Sequence, residues 1–79
     1  MPLNVYPSLS ASGVVPEGWK PQRGGALKYP VRNRALLREL RHLRLGKWRK
    51  VIKQGSLGEV HYFEHESGRV AGAKFFSMR

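Results

Sequence analysis

Most of the proton-transfer chemistry open to this 79-residue chain is packed into one stretch, GEVHYFEHESG (58–68). The whole sequence holds three histidines and five acidic residues, and His61, His65, Glu59, Glu64 and Glu66 all fall there. His61, Glu64 and His65 spell H-x-x-E-H, the arrangement of an inverted zinc-peptidase helix. On a helix the two histidines would share a face and meet one ion. Here Val60, Tyr62 and Phe63 lie between the turn signals QGSLG (54–58) and ESG (66–68), which predicts a strand. On a strand the two histidines lie about 13 Å apart and cannot hold one metal together. No other ligand cluster is legible and cysteine is absent. The expectation is a protein with no metal site and no cofactor.

A strand gives the same residues a different use. Alternation sets Glu59, His61, Phe63 and His65 on one face, and Val60, Tyr62 and Glu64 on the other. A two-residue loop at Ser67–Gly68 would put His61 opposite Lys74 and Glu64 opposite Ala71. A three-residue loop with a bulge at Gly68 would put His65 opposite Arg69 and Val60 opposite Lys74. In the first register an imidazole and an ammonium share a face. That pair suits metal-free RNA cleavage, in which the substrate's own 2′-hydroxyl attacks the phosphate. Such a reaction needs a base for that hydroxyl, an acid for the departing 5′-oxygen and cations around the phosphate. His61 is the candidate base or acid, His65 or Glu59 the second proton carrier, and Lys74 a phosphate ligand. Arg34, Arg38 and Arg41, flanked by Arg44, Lys47 and Arg49, are the candidate RNA-binding cations, and Tyr62 is a candidate stacking platform. The plainer alternative for each is a packing or solvent-facing role on the same elements.

These groups need elements to hold them. VRNRALLRELRHLRL (31–45) carries Leu36, Leu40 and Leu43 at i, i+4 and i+7, with Leu37 beside them, which predicts an amphipathic helix. Asn33 is its expected N-cap and Gly46 its expected terminator. Arg34, Arg38 and Arg41 repeat on the opposite side. KWRKVIK (47–53), EVHYFEH (59–65) and RVAGAKFF (69–76) predict three strands of an antiparallel meander, one face of it covered by the leucines. Residues 1–30 hold all five prolines and read as an arm, mostly irregular or extended, with a short strand near Leu3–Tyr6. Trp19 is expected to fold back onto the body. The expected fold is therefore α+β. An extended Pro-rich N-terminal arm (1–30) precedes a body (31–79) of one basic amphipathic helix and a three- to four-stranded antiparallel meander. A chain this short buries only about 60% of its unfolded surface. Its core must come from Trp48, Tyr62, Phe63, Phe75, Phe76 and the leucines of the helix.

Charge narrows the choice of partner. Fifteen Lys and Arg stand against five acids, for a net charge of +10, and such a field draws polyanions and speeds their association. No run approaches the roughly 18 apolar residues that cross a bilayer. No basic segment followed by an apolar one opens the chain. The expectation is a soluble, cytoplasmic protein with RNA, not a membrane, as its partner.

RALLRELRHLRLGKWRKVIK and GEVHYFEHESGRVAGAKFF, about half the chain, resemble the small ribonuclease toxins grouped as barnase, EndoU, colicin-tRNase and RelE-like. The second stretch is also similar to the closing hairpin of ribosome-cleaving colicins. The resemblance implies a metal-independent endoribonuclease toxin, acting on tRNA, rRNA or mRNA and neutralised by an acidic immunity protein or antitoxin. It implies work in the cytoplasm, of a target cell where the domain is delivered within a larger toxin. It points to His61 and Lys74 as active-site positions and to Arg34 or Arg38 as phosphate ligands. Two other functions fit the residues. One is a non-catalytic RNA- or ribosome-binding module built on the same arginines. The other is a DNA-binding or protein-interaction module of a mobile element, although no helix precedes 31–45 to complete a helix-turn-helix.

Overall fold

The computed structural model describes residues 3–77; Pro2 of the proline-rich arm lies outside them. In chain order the elements are strand β1 (Val5–Tyr6), a 3₁₀ turn (Ser10–Ser12), strand β2 (Pro21–Pro30), helix α1 (Arg34–Leu43), and strands β3 (Trp48–Gly55), β4 (Gly58–His65) and β5 (Val70–Ser77). The strands form one antiparallel sheet in the order β1-β5-β4-β3-β2. The fold is α+β, with five strands where three or four were expected.

The additional strand is β2. Within residues 3–30, β1 matches the short strand expected near Leu3–Tyr6, and β1 and β2 supply the two outer strands of the sheet. Proline tolerates this position because an edge strand leaves one row of backbone groups unpaired, and Pro21 and Pro30 stand at its two ends. Gly24 and Gly25 fall in the irregular stretch between Pro21 and Ala26, after which Ala26–Pro30 pair regularly with β3.

Helix α1 is shorter than the segment 31–45 expected for it. The Asn33 side chain caps it, its Oδ1 accepting from the Leu36 N–H at 3.1 Å. The chain leaves helical geometry at Arg44, two residues before Gly46, with an extended φ of −160°. Trp48 accounts for the early exit: its indole N–H donates to the Arg44 carbonyl at 2.9 Å and draws the chain down onto the sheet. Leu40 is fully buried, whereas Leu43 stays 39% exposed.

Each face of the sheet has its own core. On one side α1 packs through Leu36, Leu37 and Leu40 against Trp48, Phe63 and Ala71. On the other, Tyr6, Leu9 and Trp19 cover Val51, Val60, Tyr62 and Val70. Trp19 folds back as expected and lies on Gly55, where any Cβ would run into the indole ring. Its N–H donates to the Gly58 carbonyl at 3.2 Å. Nearby, Ser56 N–H donates to Lys20 O at 2.9 Å, fixing the segment before β2 to the tip of the β3–β4 hairpin.

The β4–β5 hairpin combines the two registers left open above. At the turn His65 N–H donates to Arg69 O and Gly68 N–H to His65 O, so Glu66, Ser67 and Gly68 form a three-residue loop. Glu64 accordingly faces Val70. The register then shifts by one between Phe63 and His61, and His61 faces Lys74. Gly72, at φ +61°, sits in the shifted segment, where one extra residue on β5 opposes β4. The bulge decides which side chains meet. Without it, Lys74 and Phe76 would point to the face covered by Trp19.

Candidate active site on the open face of the sheet

Helix α1 covers only one end of its face of the sheet, the end with Trp48, Phe63 and Ala71. Beyond that end, the cross-strand partners form two successive rows. Leu27, Ile52, His61 and Lys74 make one row; Gln54, Glu59 and Phe76 make the next. Two residues along a strand separate the rows, about 7 Å. Lys50 and Tyr29 lie one row toward the helix. This surface is open: Leu27 is 58% exposed, Tyr29 46% and Phe76 49%.

His61 is the centre of the arrangement. Its Nε2 lies 2.6 Å from Glu59 Oε1. The side-chain bond to His61 holds the Glu59 carboxyl below its ordinary value of 4.5. An ionised carboxylate only accepts, so Nε2 carries the proton and Nδ1 is the ring atom left with a lone pair when the imidazole is neutral. Phe76 meets the His61 ring edge-on, with centroids 4.7 Å apart, and so fixes its plane. Lys74 is exposed directly across the strand from His61. Imidazole, carboxylate and ammonium thus share one face of the sheet.

The other candidate residues are placed differently. His65 is 5% exposed and works as a structural residue. Its Nε2–H donates to the Leu45 carbonyl at 2.8 Å, its Nδ1 accepts from the Ser67 N–H at 3.0 Å, and its ring meets Trp48 edge-on. Both nitrogens are spent within the fold, which leaves Glu59 as the partner of His61. Tyr62, expected as a stacking platform, is 2% exposed in the opposite core, and burial pushes its hydroxyl up from the ordinary value. Arg49 pairs with Glu64 and alternates onto that same far face. Lys47 is exposed in the turn before β3, and Arg44 at the helix end.

Arg34, Arg38 and Arg41 are exposed along the side of α1 turned away from the sheet. With Leu37, His42 and Leu45 they line an open cleft of about 420 Å³. They form a second basic surface rather than part of the His61 patch. Gln54, Phe76, Lys50 and Tyr29 were not singled out from the sequence as site residues, and Phe76, expected in the core, is 49% exposed. Strand alternation places the first three on the His61 face once the bulge at Gly72 is known. Tyr29 needed the recognition of β2.

Among the described residues no group of three or more His, Cys, Asp or Glu is placed to hold a metal ion. No described helix is long and apolar enough to cross a membrane. No family model, curated protein or solved structure matches this chain.

Proposed function

We propose that the protein is a metal-independent endoribonuclease that cleaves RNA by attack of the substrate's 2′-hydroxyl. One observation carries the reading: Glu59, His61 and Lys74 share one solvent-open face, with carboxylate and imidazole hydrogen-bonded and the ammonium directly cross-strand. Neutral His61 takes the 2′-hydroxyl proton through Nδ1, while Glu59 holds Nε2–H and stabilises the imidazolium that forms. The 2′-oxygen bonds to phosphorus and the bond to the 5′-oxygen breaks. Lys74 faces the crowded phosphate, neutralises its developing charge and returns a proton to the departing 5′-oxygen. The products are a 2′,3′-cyclic phosphate and a free 5′-hydroxyl. Lys50 and the outer arginines of α1 draw the polyanion in, and the net charge of +10 sets the strength of that field. A protein of this chemistry needs an acidic partner that covers the patch in the cell producing it, and it meets its RNA in a cytoplasm.

Total RNA incubated with the purified protein in EDTA tests the reading. Fragments ending in 2′,3′-cyclic phosphate are expected, and His61→Ala should slow their appearance by about 10²–10⁴-fold with the fold intact. Intact RNA in the presence of tightly bound protein would leave the second reading, a non-catalytic RNA-binding module. The exposed Tyr29, Phe76 and Lys50 suit that role equally.

A further inference from the structure

Beside the His61–Glu59 pair lies a small cleft of about 250 Å³, lined by Gln54, Gly58, Glu59, Phe76 and Ser77. Its composition is that of a nucleobase site. Phe76 offers an aromatic surface at the rim, 49% exposed and oriented by its contact with His61. Gly58 leaves the floor without a side chain. Gln54, cross-strand from Glu59, is the neutral amide of the cleft, and Ser77 adds a hydroxyl. A second cleft, lined by Arg23, Gly24, Gly25, Leu27 and Ile52, begins on its other side.

Glu59 also fixes which way the Gln54 amide points. Gln54 Nε2 lies 3.5 Å from Glu59 Oε2, and an ionised carboxylate cannot face the amide oxygen. One N–H is therefore turned to Glu59. The carbonyl oxygen and the second N–H remain for a ligand. A donor and an acceptor side by side on an amide match the N6 and N7 edge of adenine, and no other base sets a donor beside an acceptor on that edge. In an unstacked strand that edge is free to be read in this way.

We infer that this cleft holds an adenine base next to the scissile phosphate, with Phe76 as its stacking surface and Gln54 as the residue that selects it. The inference rests on the proposed RNA cleavage only for the identity of the ligand as a strand of RNA. It is tested on strands that cannot be cut. Fluorescent 2′-O-methyl oligomers of A, C and U are titrated against the protein at one fixed salt concentration. The protein should bind oligo(A) about tenfold more tightly than oligo(U). Gln54→Leu should remove the preference, bringing oligo(A) down to the affinity of oligo(U). Phe76→Ala should weaken every oligomer by about tenfold, because stacking is blind to base identity. Equal binding of the three oligomers by the unmodified protein, or a preference that survives Gln54→Leu, overturns the inference, as does failure to bind any of them. Near-ultraviolet circular dichroism of each variant shows that its fold is kept. Cleavage of total RNA without base preference would sink the adenine site alone. Selective binding without cleavage would sink the nuclease and leave the site standing.

Discussion

Replacing Gly72 with alanine tests the feature that brings Lys74 to His61. Gly72 sits at φ +61°, in the left-handed region, where a side chain costs about 1–2 kcal/mol. A Cβ there would also lie 3.1 Å from Phe63 Cδ2 and 3.4 Å from Leu3 Cδ2. Phe63 belongs to the core beneath α1, so moving it costs about 1–2 kcal/mol more. Stiffening of the unfolded chain gives back about 0.4–1 kcal/mol. The net loss is about 2 kcal/mol, or a fall in Tm of about 10 °C for a domain of this size. Gly68 provides the control. It too has positive φ, at +94°, but nothing lies within 4 Å of its missing Cβ. Gly68→Ala should therefore cost under about 1 kcal/mol, the backbone strain alone less the unfolded-state gain. Thermal and urea unfolding of the two variants, measured side by side, separate the two contributions. Equal losses would refute the packed bulge, and with it the reason Lys74 lies on the His61 face.

Three further outcomes follow from the same contacts. His65→Ala should destabilise the protein by about 2–4 kcal/mol, since it removes a buried ring and strands its partners, and urea unfolding reads the loss directly. Asn33→Ala should cost about 1 kcal/mol through the lost cap, visible as a lower helical signal and Tm. The Glu59 carboxyl lies below its ordinary 4.5 in the folded state, so its bond to His61 stabilises the fold above that value. That contribution disappears as pH falls through the lowered folded value. Glu59→Gln should therefore lower stability slightly in the neutral region, leave the acid end unchanged and so flatten the acid limb. An acid limb identical in the two proteins would contradict the assigned pair.

The helix and the last three strands were legible because their periodicity is strong. Leucines four and three apart can bury one side only as a helix, and EVHYFEH alternates between turn signals. The strand reading of HYFEH, and with it the rejection of a two-histidine metal site, agrees with β4. What escaped the sequence was anything decided by tertiary contact. β2 carries two glycines and a proline at each end, a composition that reads as loop, and pairs only because β3 offers it an edge. The site depended on a register that the turn alone could not supply. The loop is of one kind and the bulge at Gly72 cancels its shift, so His61 meets Lys74 by two irregularities rather than none. His65 was indistinguishable from His61 by type and spacing. Only burial against Trp48, beneath the end of α1, separates the structural ring from the half-buried one.

The place of β5 in the sheet sets a timetable. Val5 and Tyr6 pair with Ala71 and Val70, so β1 finds its neighbour only after β5 has been made. The hairpin of β3 and β4 can close on local contacts while the chain is still emerging. A nascent chain at that stage already displays His61 and Glu59, but no ammonium stands opposite and no Phe76 holds the imidazole ring. Closure of the sheet and completion of the patch are one event, delivered by the same few residues of β5.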